Sequence, residues 1–192
     1  MAVIATDDFN RANGAIGANW SDVDSTFLVS SNTAIPTSYA SDAVVRYSAA
    51  TWPNDQYCLA AIRASGGGIG TGIGLVLRCS TSVQTYYRFV VDVTGVDIGR
   101  VVTGAFTPIT TRATTWGIVT ASDILKCEIQ GTTIRVYKNG VQLGADITDA
   151  NIASGQPGLG YSSTGSDSFL DNWEGGDFST PATGASVAWI RA

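Results

Sequence analysis

The sequence predicts an all-β protein folded as a two-sheet antiparallel sandwich, with little or no helix. Thr, Ser, Val, Ile and Gly dominate, and hardly any run of good helix formers occurs. Short alternating apolar runs recur between clusters of turn residues, at the spacing of a sandwich or barrel. A length of 192 residues suits one large sandwich and is short for two ordinary domains. With 44% hydrophobic and only 14% charged residues, the chain has the apolar surface that a disordered segment lacks.

Taken in order, the strand-like runs are residues 26–30, 43–47, 57–63, 73–79, 86–93, 116–120, 125–130, 134–139, 158–162 and 168–173. The glycine-rich run from Gly66 to Gly72 lacks both the Lys-Ser/Thr of a phosphate loop and dinucleotide-loop spacing, so it reads as a loop entering the 73–79 strand. In the 86–93 run, Tyr87, Phe89, Val91 and Val93 share a face that fills the core. Tyr86, Arg88, Val90 and Asp92 share the face turned to solvent or a ligand. Leu125, Cys127 and Ile129 alternate with Lys126, Glu128 and Gln130, which buries one face. Gly131-Thr132 breaks that run, and Ile134 and Val136 resume its inward phase. Asn139-Gly140 is then a strong hairpin signal, because both residues tolerate the positive φ of a type I′ turn.

The ends of the chain carry matching signals. Asp8-Phe9-Asn10-Arg11 with Gly14, Gly17 and Trp20 stands near the start; Pro157 to Tyr161 and Phe169 to Asp177 stand near the end. Together with the 125–144 hairpin, these resemble the concanavalin A-like (laminin-G-like) jelly rolls of bacteriophage and bacterial proteins. The resemblance implies first and last strands in one sheet. A domain over residues 1–178 is expected, followed at 179–192 by a linker and an apolar arm. The arm's Val187, Trp189 and Ile190 must pack somewhere, on their own domain or as contacts with a neighbouring subunit.

Several chemistries are excluded. The chain has no histidine, so Ser-His and Cys-His nucleophile systems are absent. Glycosidases similar to this fold pair carboxylates on one strand, whereas the only glutamates here are Glu128 and Glu174, far apart in sequence. Alternation puts Asp167 and Asp171 on one strand face and Glu174 on the other, which argues against a dyad and for a protein that is not an enzyme. A net charge of −5 with scattered arginines gives no nucleic-acid footprint. No segment approaches a membrane span. Cys58, Cys79 and Cys127 sit in apolar runs, none near another in sequence, and read as free buried thiols.

No cofactor is expected, although the resemblance implies that a structural calcium ion is an option where first and last strands meet, with Asp8 and Asp171 as candidate ligands. For glycans, Tyr86, Arg88 and Asp92 on one strand and Arg135 and Tyr137 on another form an aromatic-polar patch if the strands are neighbours. Residues 1–7 lack the pattern of a signal peptide, so synthesis in a host cytoplasm is expected. The resemblance leans toward phage-borne proteins. The leading expectation is therefore a structural virion protein, a capsid decoration or tail component, whose partners are other virion proteins, copies of itself and, more weakly, surface glycans. The alternatives are a carbohydrate-binding module or lectin-like adhesin, and an intracellular bacterial binding domain.

Overall fold

The computed structural model describes residues 1–38, 42–64, 72–92, 95–114, 123–162 and 168–178. The strands of the first half are β1 (Ala2–Asp7), β2 (Gly14–Ala15), β3 (Trp20–Asp22), β4 (Phe27–Ser30), β5 (Thr33–Pro36), β6 (Ala43–Tyr47), β7 (Gln56–Ala64), β8 (Ile73–Cys79) and β9 (Tyr86–Asp92). Those of the second half are β10 (Gly95–Val102), β11 (Ala105–Ala113), β12 (Asp123–Gln130), β13 (Thr133–Lys138), β14 (Val141–Gln142), β15 (Ile147–Thr148), β16 (Gln156–Tyr161) and β17 (Ser168–Asp177). The larger sheet runs β14-β13-β12-β7-β17-β5-β4-β2, with β1 also on β17 and β15 on β13. The smaller sheet runs β11-β10-β9-β8-β16-β6-β3. This is the expected antiparallel sandwich, and the described residues contain no helix.

The chain ends meet as the sequence suggests. β1 pairs antiparallel with β17, from Ala2 opposite Asp177 to Asp7 opposite Trp173. Trp173 then points between the sheets, where its ring stacks on Tyr47 at 5.1 Å and meets Trp20 edge-on at 4.9 Å. Phe9 and Trp52 complete the cluster. Around it, the predicted inward sets Leu125-Cys127-Ile129, Ile134-Val136 and Tyr87-Phe89-Val91 are all buried. Val93 lies outside the described residues.

One end of the sandwich is held by a buried arginine. Arg78 Nε, Nη1 and Nη2 donate to the carbonyls of Asn54, Ile152 and Gly131, so one guanidinium ties three connections together. Beside it, Tyr87 Oη donates to Asp149 Oδ1 and accepts from Ile152 N. Both groups are inside because their hydrogen bonds are satisfied there.

The sequence reading passed over β1, β2, β3, β5, β10, β11, β14 and β15. Two of the longer ones follow hairpin turns of unexpected composition. Ser31-Asn32 and Thr103-Gly104 have positive φ at both residues, as Asn139-Gly140 does. They do the same work without the Asn-Gly signature. β11 is also an edge strand carrying Pro108, which masks strand character in sequence. The run 116–120 lies outside the described residues.

Two expectations need correction. Tyr86 and Val90 do face outward, but both are buried, because Tyr86 packs with Val44, Val76, Cys79, Val101 and Val23 into a second small cluster on the outside of the smaller sheet. Asp171 and Glu174 share one face, since a bulge in β17 sets Asp171 opposite Ala61 and Glu174 opposite Leu59. Asn172 at φ 51° supplies the extra residue that shifts the phase. Asp167 lies outside the described residues. Cys58 and Cys127, remote in sequence, stand directly opposite one another across β7 and β12.

All three cysteines are free and buried. Burial pushes the Cys79 thiol up to about 12 and raises Cys58 and Cys127 further. Thiol titration of the native protein is therefore expected to show no fast-reacting cysteine, with all three reacting in denaturant; a fast native thiol contradicts this packing. Replacing Trp173 by Ala is expected to cost about 3–5 kcal/mol in urea unfolding, the range for a buried large aromatic. A loss below about 1 kcal/mol would show that the cluster is peripheral.

Candidate functional site

The structure separates the residues that the sequence grouped as a glycan patch. β9 carries Tyr86, Arg88 and Asp92 in the smaller sheet; β13 carries Arg135 and Tyr137 in the larger one. The strands are not neighbours, so the two halves lie on opposite outer faces. The Asp92 side chain lies outside the described part of the structure, as do Val187, Trp189 and Ile190.

On the larger sheet the outward side chains satisfy one another. Lys126 Nζ lies 2.6 Å from Glu128 Oε1 and stands over the rings of Tyr57 and Tyr137. Tyr137 Oη donates to Glu128 Oε2, and Tyr57 Oη donates to Glu174 Oε1. Arg135 takes Asp146 through three hydrogen bonds. Hydrogen bonding to Arg135 and Gln142 holds the Asp146 carboxyl below its ordinary value. This face is a closed network of paired groups.

The junction of first and last strands is likewise occupied by protein groups. Asp7 receives both terminal nitrogens of Arg11, the Trp20 indole N–H at 2.8 Å and the Phe9 amide. Burial pushes the Asp7 carboxyl up, but these donors outweigh it and hold it low. Asp8 accepts from the Asn10 backbone and side chain. Asp171 pairs with Arg63 at 2.7 Å. Burial, with a smaller push from Asp8, keeps the Asp171 carboxyl above its ordinary value against the pull of Arg63. Calcium takes six to eight oxygens. Here Arg11 already neutralises Asp7 and Arg63 neutralises Asp171, and no group of three acidic, Cys or His ligands forms among the described residues. The donor set does not fit a calcium ion.

The outer face of the smaller sheet is different. Cross-strand register sets Phe106, Val101 and Tyr86 in one row and Gly99, Arg88, Val76, Gly158 and Arg46 in the next. Phe106 is 48% exposed. Its ring leans over Gly99, where a Cβ would come within 2.3 Å of it, and the Arg88 guanidinium stacks on it at 4.3 Å. Arg88 also reaches Asp42 at 3.5 Å. Tyr86 is 3% exposed, packed against Val44, Val76, Cys79 and Val101. Burial pushes that phenol up; Arg88 pulls against the shift, and Asp24 and Asp42 add to it.

Beside this row lies a pocket of about 200 Å³, lined by Asp22 and Val23 on one side and by residues 80–84 on the other. The second wall is the loop between β8 and β9, braced by the β10–β11 turn through Gly104 N donating to Gln84 O. Ser80, Thr81, Ser82, Gln84 and Asp22 give the wall its hydrogen-bonding groups. Sequence reasoning found Tyr86 and Arg88 by strand alternation. It missed Asp22 and the loop, which meet only through strand order, and Phe106 on the edge strand β11.

No family model and no curated protein matches this chain. Solved structures do. The carbohydrate binding module CBM66 from Bacillus subtilis matches with a TM-score of 0.67 at 21% identity, over 83% of this chain and 96% of that one. SCLam, a non-specific endo-β-1,3(4)-glucanase from family GH16, matches with a TM-score of 0.56 at 9% identity, over 91% and 90%. Sheep galectin-11 matches with a TM-score of 0.52 at 10% identity, over 66% and 92%. The fold is thus the concanavalin A-like jelly roll, shared by binding modules, lectins and glycosidases alike.

Asp7 generates a prediction about acid. A carboxyl held low by folding contributes its stability in full above the unfolded value and loses it as pH falls through the folded one. Asp7→Asn is expected to lose about 2 kcal/mol near neutral pH, as for a hydrogen bond to a charged group. The gap from the unsubstituted protein should close as pH drops below about 4. A gap that is constant with pH would show that Asp7 acts without its charge.

Proposed function

We propose that this protein is a non-catalytic carbohydrate-binding module that holds a saccharide on the outer face of its smaller sheet. The observation that carries the reading is the pocket between Asp22-Val23 and residues 80–84, of about one sugar ring in volume and walled by hydroxyl, amide and carboxylate groups. Saccharides present hydroxyls at their edges and C–H groups on their faces. Phe106 offers an exposed apolar ring on the same sheet face, and the pocket wall offers partners for hydroxyls. The likeness of the fold to a carbohydrate binding module and to a galectin supports the same reading.

A binding role without turnover is supported by the state of the carboxylates. Asp171 is held by Arg63 and Glu174 by Tyr57, while Glu128 is taken by Lys126 and Tyr137. A glycosidase needs two carboxyl groups free to converge on one bond. The virion role expected from the sequence has no supporting observation among the described residues, and its proposed contacts lie outside them.

Titration calorimetry of the full chain against an oligosaccharide panel tests the proposal. At least one glycan is expected to bind, with Phe106→Ala lowering affinity about tenfold, roughly 1.4 kcal/mol, and leaving the melting temperature within a few degrees. Binding that Phe106→Ala and Asp22→Ala both leave unchanged would move the site elsewhere.

A further inference from the structure

Phe106 stands off from the pocket, yet the ground between them is continuous. In the pocket wall, Val23 packs on the outer cluster that contains Tyr86 and Val101. Val101 is the register partner of Tyr86 on one side and of Phe106 on the other. The loop wall reaches the same place by a second route. Gly104 N donates to Gln84 O, Thr103 N donates to the Thr85 hydroxyl, and Phe106 follows Gly104 by two residues. Hydrogen-bonded strands lie about 4.8 Å apart, so the two-strand step from Tyr86 to Phe106 covers about 10 Å. That is farther than one sugar ring reaches. A ring seated in the pocket therefore leaves Phe106 uncovered, and Phe106 is the only exposed aromatic among the described residues.

The ring is held in place before any ligand arrives. It leans over Gly99, where a Cβ would overlap it, and the Arg88 guanidinium stacks on it at 4.3 Å. Arg88 stands opposite Gly99 on β9 and is itself anchored to Asp42 at 3.5 Å. A ring seated on a glycine and stacked by a braced cation has little freedom left to lose when a ligand covers it, so contact with it adds to affinity at small entropic cost. Gly99 is what allows this pose. Around a Cβ there, the first atoms met are the edge of the Phe106 ring, followed at 3.1 Å by the Thr107 carbonyl oxygen. Alanine at this position lifts the ring and disturbs little else.

From this placement we infer that the site reads chain length: the pocket takes one sugar unit, and Phe106, positioned by Gly99, takes the C–H face of another unit farther along the same chain. The ligand is thus a linear oligosaccharide of more than two units, whose second contact is intramolecular once the first is made. The inference rests on the carbohydrate-binding reading above. The test is calorimetry of the full chain with linear oligosaccharides of glucose, galactose, mannose and fructose, each as a size series from disaccharide to hexasaccharide. Weakly bound short members are measured by displacing a long one. In the series that binds, affinity is expected to rise at least tenfold from disaccharide to tetrasaccharide and then to level off. Phe106→Ala and Gly99→Ala should each remove most of that rise while leaving the disaccharide within about twofold. Because Gly99 acts through the ring, the double variant should bind the tetrasaccharide no more weakly than Phe106→Ala alone. Asp22→Ala should weaken every length alike. Affinity independent of length, or a rise that survives both Phe106→Ala and Gly99→Ala, overturns this inference and leaves carbohydrate binding standing. Failure of every sugar to bind the unsubstituted protein defeats the broader reading, and this one with it.

Discussion

The structure depends on the placing of β17. That strand is hydrogen-bonded to β7 along one side and to β1 and β5 along the other. The end of the domain is thereby locked into the middle of the larger sheet, with its beginning alongside. Trp173 converts this backbone pairing into a link between layers, because its ring contacts Trp20, Tyr47 and Trp52. Tyr47 and Trp20 belong to β6 and β3, the far strands of the smaller sheet. One indole thus joins the first strands, the last strand and both layers. The close approach needs glycine next to it, since a Cβ on Gly175 would lie 2.7 Å from Trp52.

That arrangement leaves the two outer faces with different fates. Clamped by β1 and β17, the larger sheet carries alternating charges and tyrosines that complete one another from strand to strand. On the smaller sheet, the loop between β8 and β9 faces Asp22-Val23 across a polar hollow. Its hydroxyl, amide and carboxylate lining offers partners of the kind that the hydroxyls of a saccharide need.

The layering was legible in the sequence wherever alternation was clean. Residues 73–79 and 43–47 match β8 and β6, and the Asn139-Gly140 turn has the φ signs its composition demands. Legibility failed where local chemistry was atypical. Ser31-Asn32 and Thr103-Gly104 turn the chain as Asn-Gly does without its signature, and Asn172 moves Glu174 onto the face of Asp171 against simple alternation. The site was legible only in part, for a different reason. Tyr86 and Arg88 stand on one strand, so periodicity finds them. Arg135 and Tyr137 looked equally suitable, but strand order, which alternation does not encode, sends them to the opposite face. Strand order also brings Asp22-Val23 and residues 80–84 together from two distant stretches of chain.

The central claim is that one face of this jelly roll, and not the other, receives a saccharide. Backbone amide chemical shifts of the ¹⁵N-labelled full chain, followed while a bound neutral oligosaccharide is titrated in, address it directly. The account predicts perturbations gathered at Asp22, Val23, Ser80 to Gln84, Tyr86 and Phe106, with Lys126, Glu128 and Tyr137 unmoved. Shifts concentrated on β12 and β13 would contradict it.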